Sequence, residues 1–456
     1  MKGAGFQGRF GVARADITPP VGIYARNWGA SLHEVCVGIH RRLTATALAV
    51  SDVDGNSPLV MICADLGWWR AREDEETVRC PLLHTLGLQQ HQLLLCLSHT
   101  HSGPSTSRND RDKPGGDLIA PYLHRLTTSL AEAAHRALEK MEPGVLSWRT
   151  GWCDLAQNRD LLTEDGHTVL TGWNGVTMPP TPVTVLDIRN GKERTATVVH
   201  YACHPTTLGP GNRLISPDYI GAMREVVETH TQRPCLYLHG AAGNLAPALQ
   251  YSDDTALADR HGYAVGHAAV SALHTGLDAG CTLQMGGVLE SGAPLALWEQ
   301  QCGEISPRLC AGMSAAKVPV KPALQSISQI DAEMACETDR ARLERLVRRR
   351  RITDIVDGLA EYPMPFWVWQ LGDLEIVAQP NELFPPPPQA NRLYVNCANG
   401  PYLGYLPSGQ AYDYNNYPVW QTPLERGCLE EFLRQADTAS TELRNSRRNN
   451  VRKQPC

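Results

Sequence analysis

Six strand-length apolar runs constrain this chain more than any other feature. They are LVMICADL (59–66), QLLLCLS (92–98), TATVVHYAC (195–203), CLYLHG (235–240), LEIVAQ (374–379) and LYVNCA (393–398). Apolar on both faces, such runs read as central strands covered by other elements. Helical patterns fall between them. One runs from Tyr122 to Lys140. A second starts after Ser216-Pro217-Asp218, where serine suits the N-cap and proline the first helical position. A third covers about 256–273 and a charged one about 330–359. Strands interleaved with helices predict an α/β fold around one central mixed sheet flanked by helices. The prolines of NELFPPPPQ (381–389) lack the amide donor and fix φ, which predicts a rigid loop there.

A chain of 456 residues with 42% hydrophobic and 20% charged side chains can bury a large core without staples. Its formal net charge of −6 argues against a nucleic-acid surface, because there is no basic excess to displace counterions. The one dense basic run, Arg348 to Arg351, follows ARLERLV at helical spacing and reads as a solvated helix end. No segment has signal-peptide or membrane-spanning character, so a cytoplasmic protein without stable membrane insertion is expected. The cysteines are scattered, with no CxxC, and several lie in apolar runs (Cys63, Cys96, Cys235). Small buried thiols are therefore expected rather than a disulfide framework.

Sites in α/β proteins gather at strand ends, so the polar residues that follow each apolar run are the candidates. His99 and His101 follow the second run, and His204 follows the third. GAAGNLAP (240–247) follows the fourth, Glu382 the fifth, and a tyrosine-rich stretch beginning NGPYLGYLPSG the sixth. On a strand, residues i and i+2 share a face, so both imidazoles of His99-Thr100-His101 could aim at one point, as a zinc site requires. Each member taken alone has an ordinary structural reading: core or cap histidines, a surface carboxylate, an aromatic loop. The combination at successive strand ends is hard to explain by packing.

These residues also carry a resemblance. SHTHSGP (98–104) resembles the metal-site signature of the neutral/alkaline, non-lysosomal ceramidase family of amidohydrolases. The family's other landmarks follow in order: ADITPP (15–20), QNRD (157–160), HPTTLGPGNRLISPDYIG (204–221), HGAAGN (239–244), PNELF (380–384) and GYLPSGQAYDYNNYP (404–418). The resemblance spans about residues 10–420.

The resemblance implies zinc, with His99, His204, Glu382 and Tyr405 as ligands. It implies His101 as the proton-transfer group, and Arg159 and Tyr417 as donors to the scissile carbonyl. Two imidazoles and a carboxylate make a catalytic zinc set with room for water, and a neighbouring histidine can take and return protons. Two departures stand out. Ala246 occupies the place of a serine found in ceramidases, and Asn244 replaces the usual aspartate. The full-length enzymes continue into a β-sandwich, which is not expected in a chain ending soon after Tyr417. The resulting expectation is a short, cytoplasmic homologue that is not a true ceramidase. Residues 1–440 would form one zinc hydrolase domain and 441–456 a polar tail. It would cleave, or form by the same acyl transfer, a small soluble N-acyl or cyclic amide. The alternatives are an esterase or lactonase, a true ceramidase, and a non-catalytic protein stabilised by metal. Asp65, Asp218, Asn244, Trp68-Trp69 and the 366–369 FWVW run have no assigned role at this point.

Overall fold

The computed structural model describes residues 3–451, with side chains through 445. All six apolar runs are strands, but they build two sheets rather than one. The first has eight strands in the order Cys235–His239, Glu193–Tyr201, Thr181–Asn190, Glu142–Cys153, Gly5–Asp16, Thr44–Ser51, Leu59–Ala64 and Leu93–Leu97. The outermost pair at each end is parallel and the other pairs are antiparallel. The second sheet has four strands, Leu309–Pro319, Glu361–Leu371, Leu374–Ala378 and Arg392–Val395.

Side-chain alternation along the first sheet separates two dry faces. Ala45, Ala47, Val60, Ile62, Leu93 and Leu95 pack under α1 (Arg72–Leu86) and α2 (Ile119–Glu139). Val185, Val199, Tyr201 and Tyr237 pack under α3 (Tyr219–Thr231) and α4 (Thr255–Ala272). The opposite face, with Leu48, Met61, Leu94, Val198 and Leu238, meets Trp367, Trp369, Ile376 and Leu393 of the second sheet. Two tryptophans of the FWVW run are therefore inter-sheet core, and their indole N–H groups are satisfied by the carbonyls of Gln90 and His91. The second sheet's outer face is covered by α6 (Arg340–Val356) and α8 (Cys428–Val451). The layers run helix, sheet, sheet, helix. Strands apolar on both faces are equally consistent with a helix or a second sheet as cover, which is why one sheet was expected.

The first sheet curves until its two edge strands come close, and residues 396–399 run between them. The amide of Asn396 donates to the carbonyl of His239 on one edge, while Leu97 and Leu95 on the other exchange backbone bonds with Cys397 and Asn399. This stitch satisfies edge groups that would otherwise be exposed and draws distant strand ends together.

Local details differ from expectation for identifiable reasons. The charged 330–359 segment is two helices, α5 (Ile327–Cys336) and α6, because Ser326 and Asp339 each cap a new start. Asp218, not Ser216, caps α3, by accepting from the amide of Tyr219. The serine hydroxyl instead accepts from the amide of Asp218. One disulfide occurs among the described residues, Cys281–Cys302. It joins facing positions of the hairpin Cys281–Leu289/Leu295–Cys302, most of whose side chains are exposed. A two-stranded hairpin with so little core gains most from a covalent link. Residues 441–451 continue α8, and 452–456 lie outside the described residues.

Asp65 is a structural residue. It is buried and held by both terminal nitrogens of Arg224 at 2.7 and 3.0 Å and by Thr44, tying the first sheet to α3. Breaking such a pair by removing one partner typically costs about 3–5 kcal/mol.

Candidate metal centre

The strand Leu93–Leu97 ends before the HxH, and His99 sits in the left-handed region at φ 65°. The two histidines therefore do not share a face by strand alternation, contrary to the expectation. The backbone turn instead places their rings edge to face, with centroids 5.1 Å apart. His204 leaves the strand Glu193–Tyr201, and Glu382 begins a two-residue strand paired in parallel with Tyr405–Leu406. Glu382 and Tyr405 are direct partners in that pairing.

Ligand atoms of His99, His204 and Glu382 all lie within 4.8 Å of one another, and the three side chains are buried. The hydrogen bonding shows that a cation fits among them. His204 Nδ1 lies 3.0 Å from the carbonyl of Leu245, which can only accept, so Nδ1 carries the proton. In neutral His204 the lone pair of Nε2 then faces a Glu382 carboxylate oxygen at 2.6 Å. Two acceptors at that distance need a proton or a metal ion between them. His99 Nε2 lies 3.3 Å from the other carboxylate oxygen.

The titration behaviour has the same origin. Burial opposes the charge of Glu382, but His99 and His204 hold its pKa well below the usual carboxylate range. Burial also works against His99, yet Cys397 and Glu382 carry it up to about 10. His204, desolvated and facing Arg159, falls to about 4. The three groups thus hold one compensating positive charge, which a divalent cation would replace with release of a proton.

The His101 ring lies between Trp28 and Trp68, with ring centroids at 4.7 and 5.0 Å, and both its nitrogens are buried without a hydrogen-bond partner. Burial, with His99 and His204 nearby, pushes its pKa well below the usual value, so it is neutral and able to accept a proton. Arg159 is buried, with Nη2 donating to the Gly243 carbonyl at 2.8 Å and to the Tyr405 hydroxyl at 3.0 Å. Tyr405 therefore stands beside the three donors, held from behind by an arginine. Tyr417 packs on Tyr405 with centroids 5.6 Å apart, and its hydroxyl accepts from Arg348 at 3.3 Å. Its own O–H remains free to donate. His99, His101, Arg159, His204, Glu382, Tyr405 and Tyr417 lie in this one region.

Several neighbours were missed. His239 ends the strand Cys235–His239, stacks on His99 at 5.3 Å, and has both ring nitrogens buried without partners. Its place at the end of an apolar run was a usable signal. Tyr402 donates a short hydrogen bond to Glu382, and Cys397 touches His99 Nδ1 at 3.3 Å. Gly243 belongs to the glycine turn, but the close approach it permits is to protein. A Cβ there would lie 2.9 Å from the Leu383 carbonyl and 2.5 Å from the Phe384 ring, so a side chain would push away the strand carrying Glu382. Trp68 forms part of the site's wall, while Trp69 is core. His200 Nε2 donates to the Tyr394 carbonyl at 2.9 Å, a structural contact.

A cavity of about 410 Å³ opens beside this cluster. His101, Arg159 and Tyr405 line it on the side of the cluster; Trp28, Tyr251, Pro210 and Trp420 are among its apolar walls, and residues of α6 line it as well. No helix among the described residues is long and apolar enough to cross a membrane.

A buried His-His-Glu set at the end of a cavity, in a helix–sheet–sheet–helix scaffold, defines a protein with a candidate divalent-metal centre. Residues 9–247, just over half the chain, match the family described as neutral/alkaline non-lysosomal ceramidase, N-terminal, and the chain belongs to that family. The neutral ceramidase of Pseudomonas aeruginosa is 26% identical over 258 residues, which is 53% of this chain and 37% of that protein. The matched chain thus spans well under two thirds of that relative's length. A crystal structure of neutral ceramidase from Pseudomonas aeruginosa shares the fold, with a TM-score of 0.64 at 17% identity over 93% of this chain and 72% of that one. A structure described as ceramidase complexed with C2 gives 0.64 at 16% identity, covering 93% and 73%.

Proposed function

We propose that the protein is a zinc-dependent hydrolase of amide bonds in small N-acyl compounds. The observation that carries this reading is the convergence of His99, His204 and Glu382 within 4.8 Å at the end of a substrate-sized cavity lined by His101 and Arg159. Two imidazoles and one carboxylate are a donor set that zinc accepts while retaining open positions. Tyr405, next to them, is the fourth donor in this proposal. When bound, the ion supplies Lewis acidity and lowers the pKa of an attacking water.

The chain's own residues provide the rest. His101, neutral and without a partner, takes the proton from water and returns it to the departing amine nitrogen. Arg159 and Tyr417 donate to the carbonyl oxygen as it gains negative charge. Trp28 and Trp68 fix the His101 ring and keep bulk water from it. Ala246 is buried on the strand Leu245–Pro247 and offers no hydroxyl, so water rather than a side chain at that position is the nucleophile. Membership of the ceramidase family supports the amide bond, and the cavity volume of about 410 Å³ supports a compact substrate.

The test is metal analysis of protein purified without chelator, followed by a screen of N-acyl compounds that includes long-chain ceramide in detergent. About one zinc per chain and turnover of short N-acyl compounds are expected. Turnover of ceramide alone would overturn the small-substrate reading, and absence of any transition metal would overturn the mechanism.

A further inference from the structure

One wall of the cavity is built by α6, whose Ala341, Glu344, Arg345 and Arg348 line it at i, i+3, i+4 and i+7 spacing; Arg348 also reaches Tyr417, the neighbour of Tyr405. This overturns the reading of the arginine run as a uniformly solvated helix end. Arg350 does face outward, to Asp331, and Arg349 bonds Gln325, but Arg348 and Arg351 turn inward. Arg348 bonds Glu344 at 2.9 Å and the Asn27 carbonyl at 3.1 Å. Behind it, the buried Nε of Arg351 has no partner, and Arg70 and Arg348 are its cationic neighbours. Arg70 is matched by Asp110. Arg345 lies over the ring of Trp420 at 5.7 Å and, among the described residues, has no carboxylate partner.

Charge is therefore unbalanced at this wall. Of the α6 side chains that line the cavity, Arg348 is paired with the single carboxylate, Glu344, while the more exposed Arg345 has none, and Arg351 lies behind them; at the metal centre the charge of Glu382 is compensated locally. Holding several partly desolvated guanidinium groups together with one anion is costly unless a ligand supplies another. An arginine fork is also the side chain best shaped to take a planar or tetrahedral oxyanion. The aromatic side chains of the remaining lining, among them Trp28 and Tyr251, suit an acyl chain instead.

We propose that the substrate is an N-acyl amide whose amine portion carries an anionic group, a carboxylate or a sulfonate, seated on Arg345 and Arg348. This rests on the amide-hydrolase reading above and names its substrate class. The reaction is R–CO–NH–R′–X⁻ plus water, giving R–COO⁻ and ⁺H₃N–R′–X⁻. The C–N bond breaks, a C–O bond forms, and the proton released from the new acid stays on the amine.

Zinc-loaded wild type and Arg345→Gln are compared on N-decanoylglycine, N-decanoyltaurine and the neutral N-decanoylglycinamide. Arg345 is chosen because Arg348 also touches Tyr417. Wild type is expected to prefer at least one anionic substrate by about tenfold in kcat/KM. Arg345→Gln should raise KM for that acid about tenfold, with kcat, zinc content and turnover of the neutral amide unchanged. The glycine and taurine arms separate carboxylate from sulfonate. Equal or better turnover of the glycinamide, or equal loss on charged and neutral substrates in the variant, overturns the proposal. If no N-acyl compound is cleaved, the hydrolase reading fails separately, and calorimetric binding of N-decanoylglycine decides the anion site. Binding weakened in Arg345→Gln sustains it, and absence of binding overturns it.

Discussion

The metal centre and the α6 wall of the cavity are built on different principles. At the metal centre, His99, His204, His239 and Glu382 are buried to 1% exposure or less, come from separate strand ends, and share compensated charge. At the α6 wall the groups lie on one face of a single helix, are partly solvated, and carry surplus positive charge. The first arrangement demands a rigid frame, because sub-ångström errors in ligand position are expensive. The second tolerates variation, because one residue can change without moving its neighbours. Chemistry and selectivity should therefore be separable by mutation.

The largest expected effect comes from the metal centre. Glu382→Ala should abolish zinc retention and hydrolysis together, as measured by elemental analysis and by amine release. A variant that keeps its full metal content would break the comparison at its base, by showing that the three donors are not a unit.

Next come His101→Ala and Tyr417→Phe, which should keep zinc and lower kcat by about 10² to 10³-fold. Loss of metal in either would move that residue from the reacting groups to the frame.

The frame itself should be pH-sensitive. Asp218 is buried and caps α3 while also accepting from the amide of Leu208, on the loop that carries His204. Burial raises its pKa from 3.8 to about 6. A raised carboxylate pKa means that the folded state holds the proton more tightly than the unfolded state. This contribution is fully present below about pH 4 and is lost as pH rises to about 6. Two pKa units correspond to at most about 3 kcal/mol. Urea denaturation of wild type and Asp218→Asn across that window should show a flatter profile for the variant. Parallel profiles would assign the pH dependence to other groups.

The smallest effect should be at the α6 wall. Trp420→Ala removes an apolar wall, the ring under Arg345 and a ring packed on Tyr417 at 5.1 Å, and should keep zinc and raise KM about tenfold. A fall in kcat at constant KM would show that the wall and the metal centre are coupled.

Six of the twelve strands in the two large sheets, and the candidate site residues, were legible in the sequence, for a physical reason. Runs such as 92–98 are apolar on both faces whatever their neighbours are, and chemistry follows where such runs stop. His99, His204 and Glu382 were found this way, and His239, one position inside the same rule, could have been. Tyr402 was visible only as one tyrosine among several, since nothing local distinguishes the one that reaches Glu382.

The sequence by itself determined that these six segments become strands, that both faces of those strands are covered, and which side chains stand at their ends. Those properties depend on the chain within a few residues. Only the tertiary structure decided that the cover on one face is a second sheet, and that curvature brings the edge strands 93–97 and 235–239 together with residues 396–399 between them. The same holds for Arg348 of α6, which local spacing made solvent-facing and which packing turned toward the cavity. A helix's exposed face is set by what lies against it, and here the partners, Asn27 and Tyr417, are 321 and 69 positions away in sequence from Arg348.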